Sequence, residues 1–210
     1  EVSDEMKWVR RGIGFSELNR YDESIECLAN VIKKNPKKAI AYSLLANCFR
    51  EVKKYDDALL NVNQALFLEP NHLHALDVHG SILDETGDST GAEKVYRKIL
   101  EIEPQSGITL YNLGVLLDKF EERRSETIEV YKKAIEIAPE RAQAWVNLGL
   151  IYEKNKNEGK AENCFKKALF YDPWLSNAIN SYNSFLKKNN KFKESVQFLE
   201  KTNLTCGQLI

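Results

Sequence analysis

His72, His74 and His79 fall within eight residues, and imidazole is a common protein ligand for zinc. An H-x-H pair with a third histidine five positions on is one pattern that closes around a metal. On a helix, however, His72 and His74 would point about 200° apart, and only His74 and His79 would share a face. No cysteine or paired carboxylate completes a ligand set, so these residues read as structural or solvated imidazoles. The four cysteines, Cys27, Cys48, Cys164 and Cys206, form no CxxC pair. They read as reduced thiols that act as small buried hydrophobes in a reducing compartment. The sequon N-L-T at Asn203 is a three-residue motif of the kind that arises by chance, and the cysteine pattern argues against secretion. There is no G-x-S-x-G, P-loop, dinucleotide fingerprint or H-E-x-x-H. The acids lie at i, i+4 from basic residues, as in E-K-V-Y-R-K, which is the pattern of a solvated helix face. The expectation is a non-enzymatic chain with no cofactor and no metal.

The bulk numbers agree. The 210 residues are 43% hydrophobic and 29% charged, an ordinary globular composition. A net charge of −1 gives no field to attract nucleic acid or an anionic membrane. No apolar run approaches the roughly 20 residues that span a bilayer. The N-terminus lacks a signal-peptide apolar region and begins at Glu1, so the chain reads as a piece of a longer protein.

What must position any functional side chain is a repeat. The five prolines, Pro36, Pro70, Pro104, Pro139 and Pro173, are spaced by 34, 34, 35 and 34 residues. Each follows a helix-like run, and proline ends a helix because it lacks the N–H and restricts the residue before it. With the proline numbered 32, the fifth unit has Trp145 at position 4, Leu148 at 7, Gly149 at 8 and Tyr152 at 11. Ala161 follows at 20, Phe165 at 24, Ala168 at 27 and Pro173 at 32. Positions 4, 7 and 11 form one apolar stripe, and 20, 24 and 27 form the facing one. Small residues recur at 8 (Gly12, Ala46, Gly80, Gly114, Gly149) and at 20 (Ser24, Ala58, Ala92, Ala161). The expectation is that both mark the closest approach of two paired helices. Asp22, Asp56 and Asp88 read as N-caps or first-turn acids of the second helices. The fourth unit has one extra residue in F-E-E-R-R-S-E-T, which predicts a longer loop or an extended second helix.

The pattern W-x2-L-G-x2-Y…A-x3-F…P is complete in the fifth unit and resembles the tetratricopeptide repeat signature. Substituted versions cover nearly the whole chain. The resemblance implies an all-α fold: a right-handed α-solenoid superhelix of about six helix-turn-helix units. The expected units are 5–38, 39–72, 73–106, 107–141, 142–175 and 176–205, with a tail at 206–210, in one solenoid domain over 1–210.

In this family the first helices line a concave groove with positions 2, 5, 6, 9 and 12. The resemblance therefore implies a protein or peptide partner held by Arg10, Asn47, Arg50, Asp77, Tyr111, Asn112, Gln143, Asn147 and Asn180. Met6, Val9, Ile13, Ser43, His74 and Leu150 fall at the same positions. No three consecutive units carry the basic set with which chaperone-binding members clamp a C-terminal carboxylate. Asn112 and Asn147 both occupy position 6, where other members place amides that hold an extended peptide backbone. Such an amide both donates and accepts.

The function implied is a non-enzymatic protein–protein interaction scaffold in the cytoplasm or another reducing intracellular compartment. Two alternatives stand beside it: the substrate-recruiting arm of a larger enzyme, such as a glycosyltransferase, or a structural subunit of a large assembly such as ciliary transport or cell-cycle machinery. Self-association through the terminal repeats is a further expectation. It rests on the apolar Met6, Val9 and Ile13 at one end and Val196, Phe198, Leu199 and Leu204 at the other. Neither nucleic acid nor membrane insertion is expected.

Overall fold

A computed structural model describes residues 4–207, without the side chains of residues 199 and 201–207. The tail expected at 206–210 therefore lies largely outside the described residues, as do the side chains of Leu199, Asn203, Leu204 and Cys206. Twelve α-helices and no strand are present among the described residues. They run α1 (Asp4–Glu17), α2 (Tyr21–Lys34), α3 (Ala39–Glu51), α4 (Tyr55–Leu68), α5 (Leu73–Glu85) and α6 (Ser89–Ile102). Then come α7 (Gly107–Leu117), α8 (Arg124–Ile137), α9 (Ala142–Lys154), α10 (Glu158–Tyr171), α11 (Ser176–Lys188) and α12 (Phe192–Gly207). These pair as six helical hairpins. They gather into two compact units, Glu1–Gln105 and Ser106–Ile210, of three hairpins each.

Within the first unit, α1 pairs with α2, α3 with α4 and α5 with α6, and α3 also packs on α2 and α5. The core is continuous from hairpin to hairpin. Val9 and Val31 meet Ala41 of the next repeat, and Ala46, Ala58, Val62 and Ala65 meet Ala75, Val78 and Ile82. Within the second unit, Tyr131, Leu148, Ile151, Phe165, Phe185 and Leu186 form the corresponding core across α8 to α11. Each hairpin thus completes its burial only against a neighbour.

The small residue at position 8 lies at a close approach of the paired helix, where Ser24 Oγ at position 20 donates to Gly12 O at 2.7 Å, and it also makes room for a large side chain. A Cβ at Gly80 would lie 2.6 Å from the Tyr96 ring, one at Gly114 2.6 Å from the Tyr131 ring, and one at Gly149 2.8 Å from the Phe165 ring. All three rings are at position 24. The space left by glycine is filled by that large side chain. In the second repeat the pair is Ala46 with Val62, where a larger position 8 accompanies a smaller position 24. Volume is conserved across the pair, as dense interior packing requires.

The turn between paired helices is also periodic. Asn19, Lys53, Gly87, Lys156 and Asn190 have φ of 57°, 60°, 92°, 56° and 58°. All five stand at position 15. The next N–H returns to the helix it has left, as in Lys54 N to Phe49 O (2.8 Å) and Asn157 N to Tyr152 O (2.9 Å). This is the Schellman closure of a helix C-terminus. The fourth hairpin breaks the rule: its extra residue is taken up by a 3-10 turn at Glu121–Arg123 leading into α8, and no left-handed residue is needed. Asp88 is an N-cap, accepting from Gly91 N at 2.9 Å, whereas Asp22 and Asp56 lie in the first turns of α2 and α4.

The signature tryptophan has a polar task beside its apolar one. Trp145 Nε1 donates to the Pro139 carbonyl at 2.8 Å, tying the inter-repeat loop to α9. Cys27, Cys48 and Cys164 are buried free thiols.

Candidate functional site

In the first unit the predicted residues lie on α1, α3 and α5. Arg50 Nε and Nη2 donate to Asn47 Oδ1 at 3.3 and 3.0 Å. The same guanidinium pairs with Glu51 and with Glu85 of α5. Asn47 and Arg50 are thus brought together and joined to the neighbouring repeat. His74 Nδ1 lies 3.0 Å from Ser43 Oγ, and Ser43 gives its own proton to Ile40 O at 3.0 Å. Burial lowers the pKa of His74, and Asp77 opposes that shift. Tyr96, beneath this face, is pushed up to about 12 by burial. Two expected surface residues belong to the interior instead: Val9 packs on Val31 and Ala41, and Ser43 is fully buried.

His72 departs from its expected geometry. The helix begins at Leu73, so His72 is its N-cap, and its Nδ1 accepts from Ala75 N at 3.2 Å. Its ring therefore meets that of His74 edge to face, with centroids 6.5 Å apart, instead of pointing away. No cluster of three metal-ligating side chains occurs among the described residues.

In the second unit the face is built by α7, α9 and α11. Asn147 Nδ2 donates to Tyr131 Oη at 3.1 Å. The Tyr111 and Tyr131 rings lie 6.3 Å apart. Burial raises both phenols above their usual range. Asn147 is therefore engaged with the buried Tyr131, which leaves Asn112 and Asn147 unlike two free rungs of one ladder. Asn112 and Gln143 are half-buried and Asn180 is exposed. Arg10, Gln143 and Asn180 form no bond to the other predicted residues among those described.

One residue of this face was missed. Arg141, the N-cap of α9, lays its guanidinium over the Tyr111 ring, 5.3 Å from the centroid. It stands two residues before the first groove position that the family pattern lists. Only its place beside Trp145 and Gln143 on the inter-repeat loop could have signalled it. Arg141 Nε and Asn177 Oδ1 are buried with no hydrogen-bond partner among the described residues. Ile108 and Leu150, at positions 2 and 9, are 49% and 37% exposed.

At the C-terminal end, Phe192 and Val196 of α12 are exposed, while Phe198 packs edge to face on Tyr182 at 5.1 Å. At the other end Met6 and Ile13 are exposed. Arg11 stands over Trp8 and Phe15 at 5.6 and 5.5 Å. No helix among the described residues is long and apolar enough to cross a membrane.

Comparison with known proteins places this architecture. Models described as tetratricopeptide repeat match residues 9–72, 73–106 and 142–174, and one described as TPR repeat matches 125–156. The chain is 30% identical over 93 residues to RNA polymerase II-associated protein 3 of Xenopus tropicalis, covering 44% of the chain and 14% of that protein. It is 25% identical over 105 residues to Hsp70-Hsp90 organizing protein 2 of Arabidopsis thaliana, covering 50% of the chain and 18% of that protein. The chain thus spans less than a fifth of the length of either curated relative. The structure from the functional characterization of Pseudomonas aeruginosa pilF superposes with a TM-score of 0.83 at 14% identity, covering 98% of this chain and 93% of that one, a likeness of fold alone. With its matching repeat models, its six hairpins and its complete fifth-unit signature, the chain belongs to the tetratricopeptide repeat family.

Proposed function

We propose that this chain is a protein-interaction scaffold, and that the face built by α7, α9 and α11 holds a segment of a protein partner. Family membership supports the protein-binding role. The placement on the second unit rests on one observation: its polar atoms are left unmet where those of the first unit are not. Asn177 Oδ1 is buried without a partner, on the row of helices that exposes Ile108 and Leu150. In the first unit Asn47, Arg50, Ser43 and His74 are bonded to one another or to Glu85. A mixed surface of apolar and amide side chains suits an extended segment or one face of a helix. Because the helices are fixed by packing, little ordering cost falls on the scaffold side.

The test is affinity capture from a cell extract with the wild type beside a Leu150→Glu/Asn180→Ala variant. Both positions are exposed, so the fold is retained. Loss of the captured proteins with the variant supports this face. Recovery of the same proteins at the same yield removes it.

A second reading is favoured by α12. Phe192 and Val196 stand at positions 17 and 21 of the sixth repeat. Their counterparts Tyr21 and Ile25 are covered by α3, and Tyr55 and Leu59 join the core containing Ala75, Val78 and Ile82 of α5. This end of the stack suits contact with a further helix in an assembly. Light scattering over a concentration series, with Val196→Lys as control, separates self-association from a monomer.

A further inference from the structure

We infer that the outer face of the first unit, built by α2, α4 and α6, is an antiparallel two-fold contact with a second copy of this chain. Each of these second helices packs on first helices: α2 on α1 and α3, α4 on α3 and α5, α6 on α5. Their other sides are left outward, and repeat positions 22, 25 and 29 are exposed in all three. Positions 22 and 29 lie two helical turns apart on one face, about 10 Å along the axis. On α4 they are Leu60 and Phe67, 70% and 80% exposed, with the exposed Asn63 between them. No charged residue occurs on α4 from Ala58 to Leu68. The helices on either side carry charge at the same two positions, in opposite order: Glu26 and Lys33 on α2, Lys94 and Glu101 on α6. None of these four forms an ion pair among the described residues.

This pattern is its own complement. In an isologous contact residue i meets residue j of the partner, and j meets i. Laid antiparallel, each helix brings its position 22 against position 29 of the same helix in the second copy. Leu60 then covers Phe67, Glu26 meets Lys33 and Lys94 meets Glu101, each of them twice. Asn63 falls near the axis, where an amide both donates to and accepts from its own copy. Arg97, at the same level on α6, brings its own counter-ion, Glu93 at 2.8 Å. A parallel two-fold would also match the outer charges, but it would set the exposed Asp56 and Asp57 of the two copies side by side. The antiparallel one sets them by Pro70 and Asn71. The second unit lacks the pattern: positions 22 and 29 of α8 are Glu129 and Glu136, which would repel in this arrangement. The apolar pairs supply the attraction, and the charged rows fix register and orientation. A face of two turns on three helices is small, so the dimer belongs to the weak, transient class.

Sedimentation equilibrium of the whole chain, from about 5 µM to about 500 µM, reads that association. The wild type should dimerise across this range. Leu60→Glu and Phe67→Lys should each weaken the dimer about tenfold or more, because a charge then faces an apolar side chain at both ends. An equimolar mixture of the two variants should associate again. The introduced carboxylate then meets the introduced ammonium at one end, while Leu60 meets Phe67 at the other, and high salt should reverse the rescue. Glu101→Lys should weaken the wild-type dimer severalfold, and Lys94→Glu/Glu101→Lys should restore it. All these positions are exposed, and thermal melts confirm that each variant is folded. A wild type that stays monomeric throughout, or a dimer indifferent to Phe67→Lys, overturns the inference. So does a mixture that associates no better than its components, which would exclude the antiparallel register. Association lost with Val196→Lys but kept with Phe67→Lys assigns the contact to α12 and overturns it as well.

Discussion

The pairing of a small position 8 with a large position 24 makes a quantitative prediction at Gly149. Glycine inside a helix is about 1 kcal/mol less favourable than alanine, so on backbone grounds alone Gly149→Ala should stabilise. The packing opposes this. The new Cβ would lie 2.8 Å from Phe165 Cε1, 3.0 Å from Cδ1 and 3.2 Å from Cys164 Cβ, inside the ~3.5–4.0 Å of normal carbon contact. Phe165 is fully buried and cannot swing aside. Overpacking of this kind costs about 1–3 kcal/mol, which outweighs the backbone gain. The net expectation is a loss of up to about 2 kcal/mol, or roughly 2–4 °C in Tm per kcal/mol for a chain of this size. Phe165→Val alone should cost about 2 kcal/mol or more, below the ~3–5 of full truncation, because it leaves a cavity. The double variant recreates the Ala46–Val62 pair of the second repeat, since the added methyl occupies the vacated space. It should be more stable than the sum of the single changes by about 1 kcal/mol or more, within the range measured for touching residues. Urea unfolding followed by far-UV circular dichroism, with the fluorescence of Trp145 and Trp174 reporting on this unit, reads all four proteins. Stabilisation by Gly149→Ala, or strict additivity in the cycle, would refute the packing argument.

The other expectations are briefer. At the left-handed turn position, Lys53→Gly should stabilise and Gly87→Ala destabilise, each by about 1 kcal/mol, because only glycine adopts positive φ freely; equal effects of one sign in chemical unfolding would contradict the turn assignment. Burial lowers the pKa of His74, which faces Ser43, Asp77, His72 and Arg50, and of His79, which faces Asp88. The unfolded chain then binds more protons below the ordinary value of 6.5, so stability is complete above that pH and declines as pH falls toward the lowered folded values. His79→Leu should flatten that decline, and an unchanged slope would remove His79 from it. Cys27, Cys48 and Cys164 are buried, with Cys164 pushed up to about 12 by burial, so iodoacetamide should label them only after denaturation. Rapid labelling of any of the three in the native chain, mapped by mass spectrometry, would count against the core.

The repeat was legible because its punctuation is chemical: prolines at one position end one helix per hairpin, and the stripes at 4, 7 and 11 and at 20, 24 and 27 fix which faces meet. What spacing could not supply was which row of the facing helix fills the gap over a glycine. That depends on the helix crossing, and the structure puts position 24 there. The left-handed turn at position 15 was not read from the sequence: Asn19, Gly87 and Asn190 are types suited to positive φ, but Lys53 and Lys156 adopt it too and hide the pattern.

The binding face was less legible for a related reason. A position in a repeat says where a side chain starts, not what it meets. Asn147 starts at a groove position and ends on the Tyr131 hydroxyl, and Arg50 starts at another and ends on Asn47 and Glu85. Arg141 starts outside the listed positions and ends on the Tyr111 ring. The groove of a repeat protein is therefore best ranked by the polar atoms that folding leaves without partners. By that criterion Arg141 and Asn177 precede Asn147 and Arg50; the repeat pattern places Asn177 at groove position 2 and leaves Arg141 out. The same criterion makes Asn147→Ala a poor probe of binding. It would strip a hydrogen bond from the fully buried Tyr131, at a cost of about 1–3 kcal/mol in the folded chain. Weakened partner capture by that variant with an unchanged melting temperature would show that Asn147 serves the partner and not Tyr131.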